Sequence, residues 1–284
     1  MSKVFLNGKL LPVEDAKVSV LDRGFIFGDG VYELVPVYSR VPFRIEEHLA
    51  RLERSLGEAK IRNPYSRAQW RSHIHGLIDA QPFEDQGIYF QVTRGAAKRD
   101  HAFTKDVEPT VFMMANPLVN PPRAQVERGG AAVSAPDNRW LRCDIKSISL
   151  IGNVLLRQLS AEAEAAETIL FRDGELTEAS ASNVFVVKRG VIQSPPKSNL
   201  ILPGITYDAT HEFAREAGMP MEVRPVSRDE AISADEMWLS SSTKEVLAVS
   251  TLDGKPIGGG GPGPMFRRMY QAFQNHKPAA ARRG

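Results

Sequence analysis

The sequence predicts an α/β protein built as two lobes, each mixing helices with strands. Strand-like and helix-like apolar spacings alternate in both halves of the chain. The run Asn116-Pro-Leu-Val-Asn-Pro-Pro-Arg123 sets three prolines in eight residues, a stiff extended connection of the kind that separates domains. A chain of 284 residues, 42% hydrophobic and 25% charged, can supply one large core or two modest ones. The expected division is a smaller lobe at residues 1–116, a linker at 117–123 and a larger lobe at 124–284. Ligand sites favour the meeting of such lobes.

In the first half, residues 4–6 and 10–13 read as strands joined by the Asn7-Gly8 hairpin turn. Ile45, Leu49, Leu52 and Leu56 stand at helical spacing and predict a helix over 46–59. Trp70, Ile74, Leu77 and Ile78 predict a second. Residues 88–93 and 110–115 read as strands. Past the prolines, 153–166 is rich in good helix formers. Residues 168–171, 184–188 and 237–240 read as strands, and 206–217 as a helix stopped by Gly218. Ser227-Arg-Asp-Glu230 is a capping box that starts a short helix. Asp253-Gly254 is a hairpin turn, 258–263 a turn-rich stretch, and the tail beyond about Asn275 is expected to be disordered.

A net charge of +2, from 36 basic and 34 acidic residues, gives no reason to expect nucleic acid or an anionic membrane as partner. Cys143 is the only cysteine, so no intrachain disulfide forms, and a small packed thiol is its expected role. The opening Met1-Ser-Lys-Val-Phe-Leu-Asn-Gly has too short an apolar run for a signal peptide. No stretch approaches the ~20 apolar residues of a membrane span, and a cytoplasmic location is the expectation. His73-Ile-His75 lies on a predicted helix, where residues two apart do not face each other, so no metal site is expected. Gly28-Asp-Gly30 lacks the third glycine of a nucleotide loop.

The segment Asp137-Asn-Arg-Trp-Leu-Arg-Cys-Asp-Ile-Lys146-Ser-Ile-Ser-Leu150 alternates like a strand, and on pattern alone Lys146 is a solvated lysine near Asp144. Three further segments change that reading: Phe27-Gly-Asp-Gly-Val-Tyr-Glu33, Tyr89-Phe-Gln-Val-Thr-Arg-Gly95 and Thr177-Glu-Ala-Ser-Ala-Ser-Asn183. In this order and at these separations, the chain resembles the fold-type-IV pyridoxal-phosphate aminotransferases, and among them the D-amino-acid branch. The resemblance runs from about Val4 to about Phe273 and is most specific around Lys146.

The resemblance implies a two-lobed homodimer with pyridoxal 5′-phosphate held between the lobes. Lys146 is then the residue that carries the cofactor's aldehyde and moves a proton at the substrate Cα. Glu178 is the carboxylate that keeps the ring nitrogen protonated; without its flanking motif it would read as a loop glutamate after the Asp173-Gly174 turn. Pro203-Gly204-Ile205-Thr206 opens a helix, where backbone N–H groups favour an anion and Thr206 serves as N-cap, phosphate ligand or both. Ser240-Ser-Ser-Thr243 offers four hydroxyls, of which the resemblance selects Ser242 for the phosphate. Arg51, by itself a helical arginine of the solvated kind, matches a phosphate-binding arginine.

An amino-acid substrate adds a carboxylate, which calls for an arginine fork. Arg99-Asp-His101, in the polar loop 96–106, matches the Arg-x-His pair of the D-amino-acid branch, with Tyr32 as a third donor. In that branch the loop reaches into the neighbouring subunit's site. The implied reaction takes an amino group from a D-amino acid such as D-alanine to a 2-oxo acid such as 2-oxoglutarate, in two ping-pong half-reactions. Branched-chain aminotransferases, (R)-selective amine transaminases and aminodeoxychorismate-type lyases share the fold and remain alternatives; a non-catalytic binding protein would not need both Lys146 and Glu178. Ala179, Ala181 and Lys98 depart from the branch's pattern and bear on substrate range.

Overall fold

The chain opens on a hairpin. In the computed structural model, which describes residues 3–119 and 121–282, β1 (Lys3–Leu6) and β2 (Lys9–Pro12) pair antiparallel. Asn7 and Gly8 turn between them with φ of 46° and 89°, left-handed values that Asn and Gly tolerate best. After a short helix α1 (Arg23–Phe27) come β3 (Gly30–Tyr38), β4 (Val41–Pro42), α2 (Ile45–Glu58), α3 (Arg67–Asp79), β5 (Gln86–Thr93) and β6 (Thr110–Pro117). The strands form one sheet in the order β2-β1-β6-β5-β3-β4. The predicted apolar stripes of α2 and α3 bury Leu49, Leu52, Leu56, Trp70, Ile74 and Leu77 in a core shared with Val31, Val35, Phe90 and Val92. Ser66 and Gln69 form the capping box that starts α3.

The chain folds as two compact units, one running to Val119 and taking in Ile145–Leu150, the other comprising the rest. The Lys146 segment therefore returns to the first unit. It is not the strand that its alternation suggests. Ser147 N and Leu150 N close tight turns onto Ile145 O and Ile148 O, 2.8 and 2.9 Å away, which breaks any ladder. What remains is a single bridge of Ser147 to Val31, with Ile145 buried in the core of the first unit.

The second unit holds α4 (Arg123–Arg128), β7 (Gly130–Pro136), α5 (Ile151–Glu162), β8 (Glu167–Arg172), β9 (Glu175–Ala179), β10 (Asn183–Lys188), β11 (Val191–Ser194), α6 (Ile205–Glu216), β12 (Met221–Val223), α7 (Arg228–Ile232), β13 (Glu236–Ser241), β14 (Glu245–Leu252), β15 (Lys255–Pro256) and α8 (Pro264–His276). Its sheet runs β12-β11-β10-β13-β14-β7-β8-β9, with β15 pairing β14. The crossover through α5 makes β7 and β8 parallel. Asp173-Gly174 folds β9 back on β8 with φ of 51° and 81°.

One expectation differs from the structure here: the tail beyond about Asn275 is expected to be disordered, and the sequence assigns no element to the stretch that forms α8. Instead α8 buries Met265, Phe266, Met269 and Phe273, and Lys277 beyond it is buried with its Nζ 2.7 Å from Glu245 Oε1. Among the described residues, no helix is long and apolar enough to cross a membrane.

Candidate active site

Strand alternation organises the first constellation. On β3, Tyr32 is half-buried and its neighbour Glu33 is fully buried on the opposite face. Tyr32 N donates to Lys146 O at 2.9 Å, and Lys146 Nζ stands 4.1 Å from the centre of the Tyr32 ring. Glu33 meets two residues from one face of α2. Arg51 grips it with Nε to Oε1 at 2.7 Å and Nη2 to Oε2 at 2.8 Å, and His48 Nδ1 lies 2.8 Å from Oε2. Burial opposes charge on Glu33, but Arg51 and His48 hold its carboxyl well below the usual range; burial also depresses His48. Arg51 is thus buried rather than solvated, and His48, to which the sequence assigned nothing, belongs to the same network.

Arg99 and His101 sit in the exposed loop between β5 and β6, where both lie over one ring. The Arg99 guanidinium is 5.3 Å from the Phe27 centroid, and the His101 ring is 5.4 Å from it. The structure therefore joins Tyr32 with Lys146, and Arg99 with His101.

The second unit gathers the other residues around Glu178, which is buried on β9 and not a solvated loop residue. Arg139 Nη1 donates to Glu178 Oε1 at 2.6 Å. Asn183 Nδ2 and Leu202 N donate to Oε2 at 3.1 and 3.0 Å. Burial nonetheless raises Glu178 to about 7, against the pull of Arg139. Arg139 also forks onto Asp137 at 2.9 and 2.8 Å. Although burial works against its charge, Asp137 is held down to about 2, chiefly by Arg139.

Helix α6 starts beside this cluster. A Cβ on its N-cap, Gly204, would fall 2.2 Å from Asn183 Oδ1, so only glycine lets the helix start lie this close. No side chain caps α6, which leaves the first-turn N–H groups at Ile205 and Thr206 open to an anion. Asn183 also pairs in register with Ser240 on β13. Ser240 Oγ is buried and, among the described residues, has no hydrogen-bond partner. Ser242 follows in the turn after β13, half-buried. Asn183 links the carboxylate, the helix start and the serine strand. The sequence alone shows Asn183 only as part of a motif and Arg139 only as part of the run before Lys146; neither acquires a role until the chain folds. No group of metal-ligating residues occurs among the described residues. Cys143 is buried, and burial pushes its thiol up to about 11, as suits a packed residue.

Comparison with known proteins extends these observations. The profile of the family described as Amino-transferase class IV matches residues 30–252. A D-alanine aminotransferase of Bacillus licheniformis is 42% identical over 273 residues, 96% of this chain and 96% of that one. A D-alanine aminotransferase of Staphylococcus aureus (strain N315) is 39% identical over 277 residues, covering 97% and 98%. Among solved structures, the branched-chain amino acid aminotransferase of Escherichia coli superposes with a TM-score of 0.90 at 26% identity, over 96% of this chain and 94% of that one. The branched-chain enzyme of T.th., solved with pyridoxamine 5′-phosphate, does so with a TM-score of 0.90 at 25% identity, over 98% and 96%. A family match across most of the chain and near-full-length relatives leave one conclusion: the chain belongs to the class IV aminotransferases.

Proposed function

We propose that this chain is a pyridoxal-phosphate-dependent aminotransferase that moves the amino group of a D-amino acid, such as D-alanine, to a 2-oxo acid, such as 2-oxoglutarate. The observation that carries the reading is the near-full-length match to D-alanine aminotransferases, at 42% identity, where the branched-chain enzyme of Escherichia coli reaches 26%.

Bound pyridoxal phosphate supplies an electron sink and a carbonyl that stores the amino group between two half-reactions. The donor set fits it. Among the described residues, Glu178 Oε2 accepts two hydrogen bonds and Oε1 one, so Oε1 keeps an acceptor position for a ring N–H. The uncapped start of α6, the unpartnered Ser240 hydroxyl and the neighbouring Ser242 suit a phosphate. In this reading Ile205, Thr206, Ser242 and Arg51 hold the phosphate, and Glu178 holds the ring proton. Lys146 anchors the cofactor and moves a proton at the substrate Cα. Tyr32, beside Lys146, joins Arg99 and His101 in binding the α-carboxylate.

The reading includes a homodimer in which the Arg99 loop serves the neighbouring subunit. One face of α5 supports it. Ile151, Val154, Leu155 and Leu159 stand at helical spacing and are 72, 58, 62 and 44% exposed. Such a stripe on water marks a face that another chain covers. A cytoplasmic location accords with the single, buried, free Cys143.

The test is the absorbance of cofactor-loaded protein with D-alanine, L-leucine and (R)-1-phenylethylamine added in turn. D-Alanine should bleach the bound cofactor's visible band. Bleaching by L-leucine in its place would establish a branched-chain enzyme.

A further inference from the structure

Two motifs of the sequence have no part in the chemistry above: Asp22-Arg-Gly-Phe-Ile-Phe-Gly-Asp-Gly30 and Thr93-Arg-Gly95. The structure folds both into a hub beneath the loop that bears Arg99 and His101. Arg23 is 3% exposed. Its Nε donates to Asp29 Oδ2 at 2.7 Å. Its other two nitrogens reach successive loop carbonyls, Nη1 to Asp100 O at 2.5 Å and Ala102 O at 3.4 Å, and Nη2 to His101 O at 3.4 Å. Asp29 is also forked by Arg94, through Nε at 2.8 Å and Nη2 at 3.0 Å. Arg94 is itself fixed by the carbonyls of Ala59 and Lys60, and its guanidinium lies 3.6 Å from the Phe103 ring. Phe27 completes the hub, its ring collecting Arg23 at 4.8 Å as well as Arg99 and His101. Asp22 caps α1 through Gly24 N at 2.8 Å, and a Cβ on Gly24 would fall 2.3 Å from Thr93 Cγ2, so the two motifs pack without a gap.

An exposed loop binds weakly if it must be ordered by its ligand, because that entropy is lost on binding. Here the loop backbone is ordered beforehand, by a buried charge that donates to three carbonyls in a row. We propose that Arg23, held by Asp29 and Arg94, is a positioning residue that fixes the Arg99-Asp-His101 backbone and so presets the groups that bind the substrate carboxylate. The inference rests on the assignment of Arg99 and His101 made above. It gives the two motifs a task in substrate affinity rather than in the chemistry.

The test compares Arg23→Met, Arg23→Lys and Arg99→Ala in the cofactor-loaded enzyme. Removing Arg23 leaves Asp29 paired with Arg94, so no buried carboxylate is orphaned and the fold should survive. Lysine restores a charge beside Asp29 but cannot also span three carbonyls. Both Arg23 variants should keep their cofactor and a kcat within about twofold of wild type, while KM for D-alanine rises roughly tenfold to a hundredfold, as misplacing a binding group does. Amide hydrogen exchange at residues 99–103, a readout independent of turnover, should accelerate in both. Unchanged exchange there overturns the proposal, as does an equal loss with D-alanine and with an amine that has no carboxylate. If Arg99→Ala leaves KM for D-alanine unchanged, the carboxylate assignment itself fails, and the role of Arg23 fails with it.

Discussion

At the scale of single residues, the proposed chemistry rests on Lys146 and Glu178. Reductive trapping followed by peptide mapping should place the cofactor on Lys146; a label on Lys188, Lys197 or Lys244 would contradict its role. Lys146→Ala should fold yet lose turnover by orders of magnitude, since anchor and proton carrier go together. Glu178 offers a pH test. Burial lifts it to about 7, above the 4.5 of an ordinary glutamate, so the fold favours the neutral acid when no cofactor is bound. Its contribution to stability is complete below 4.5 and is lost as pH rises through about 7. Cofactor-free Glu178→Gln should therefore gain thermal stability over wild type above about 7 and little below 4.5. An infrared carboxylic-acid band absent from that variant should titrate near 7; titration in the ordinary glutamate range would contradict the burial. Both residues could be proposed from the sequence because each lies in a continuous motif. Arg139 could not, because its partner lies 39 positions away and only the folded chain brings them together.

Among the elements, the start of α6 is sensitive to a single change. Gly204→Ala must push Asn183 aside, and Asn183 Nδ2 ties Glu178 Oε2 to Leu202 O. Cofactor affinity should fall about tenfold or more, equivalent to losing one charge-assisted hydrogen bond, while the sheet stays folded. Gly259→Ala, whose added Cβ meets nothing within 4 Å, is the control. Equal affinity in the two variants, measured by equilibrium dialysis, would remove α6 from the phosphate site. Elements with local start and stop signals were legible from sequence, as with the Asn7-Gly8 turn, the Ser227 capping box and the stripes of α2 and α3. Helix α8 was not. Its first turn is capped from another element, with Met265 N and Phe266 N donating to Glu236 at 3.0 and 2.7 Å. The run 137–150 misled for the converse reason: Cys143 and Ile145 are buried as its alternation suggests, but Leu141 is exposed and the backbone closes local turns instead of joining a ladder.

For the whole molecule, the claims are a dimer and a D-amino-acid substrate. Leu155→Glu puts a charge on the apolar face of α5 and should yield monomers by sedimentation; an unchanged mass would show that this face is not the interface. If the loop serves the neighbouring subunit, mixing and refolding Lys146→Ala with Arg99→Ala chains should restore activity, because each mixed dimer rebuilds one intact site. No recovery would mean that the loop acts within its own chain. The substrate carboxylate is the feature on which the function turns. A charge-assisted arginine pair is worth about 1.5–3 kcal/mol, or roughly tenfold to a hundredfold in binding. The decisive measurement is kcat/KM for D-alanine and for (R)-1-phenylethylamine in wild type and in Arg99→Ala. The expected result is a wild-type preference for D-alanine that Arg99→Ala cuts by that factor while sparing the amine. An equal fall with both substrates, or a wild-type preference for the amine, would contradict the assignment to D-amino acids.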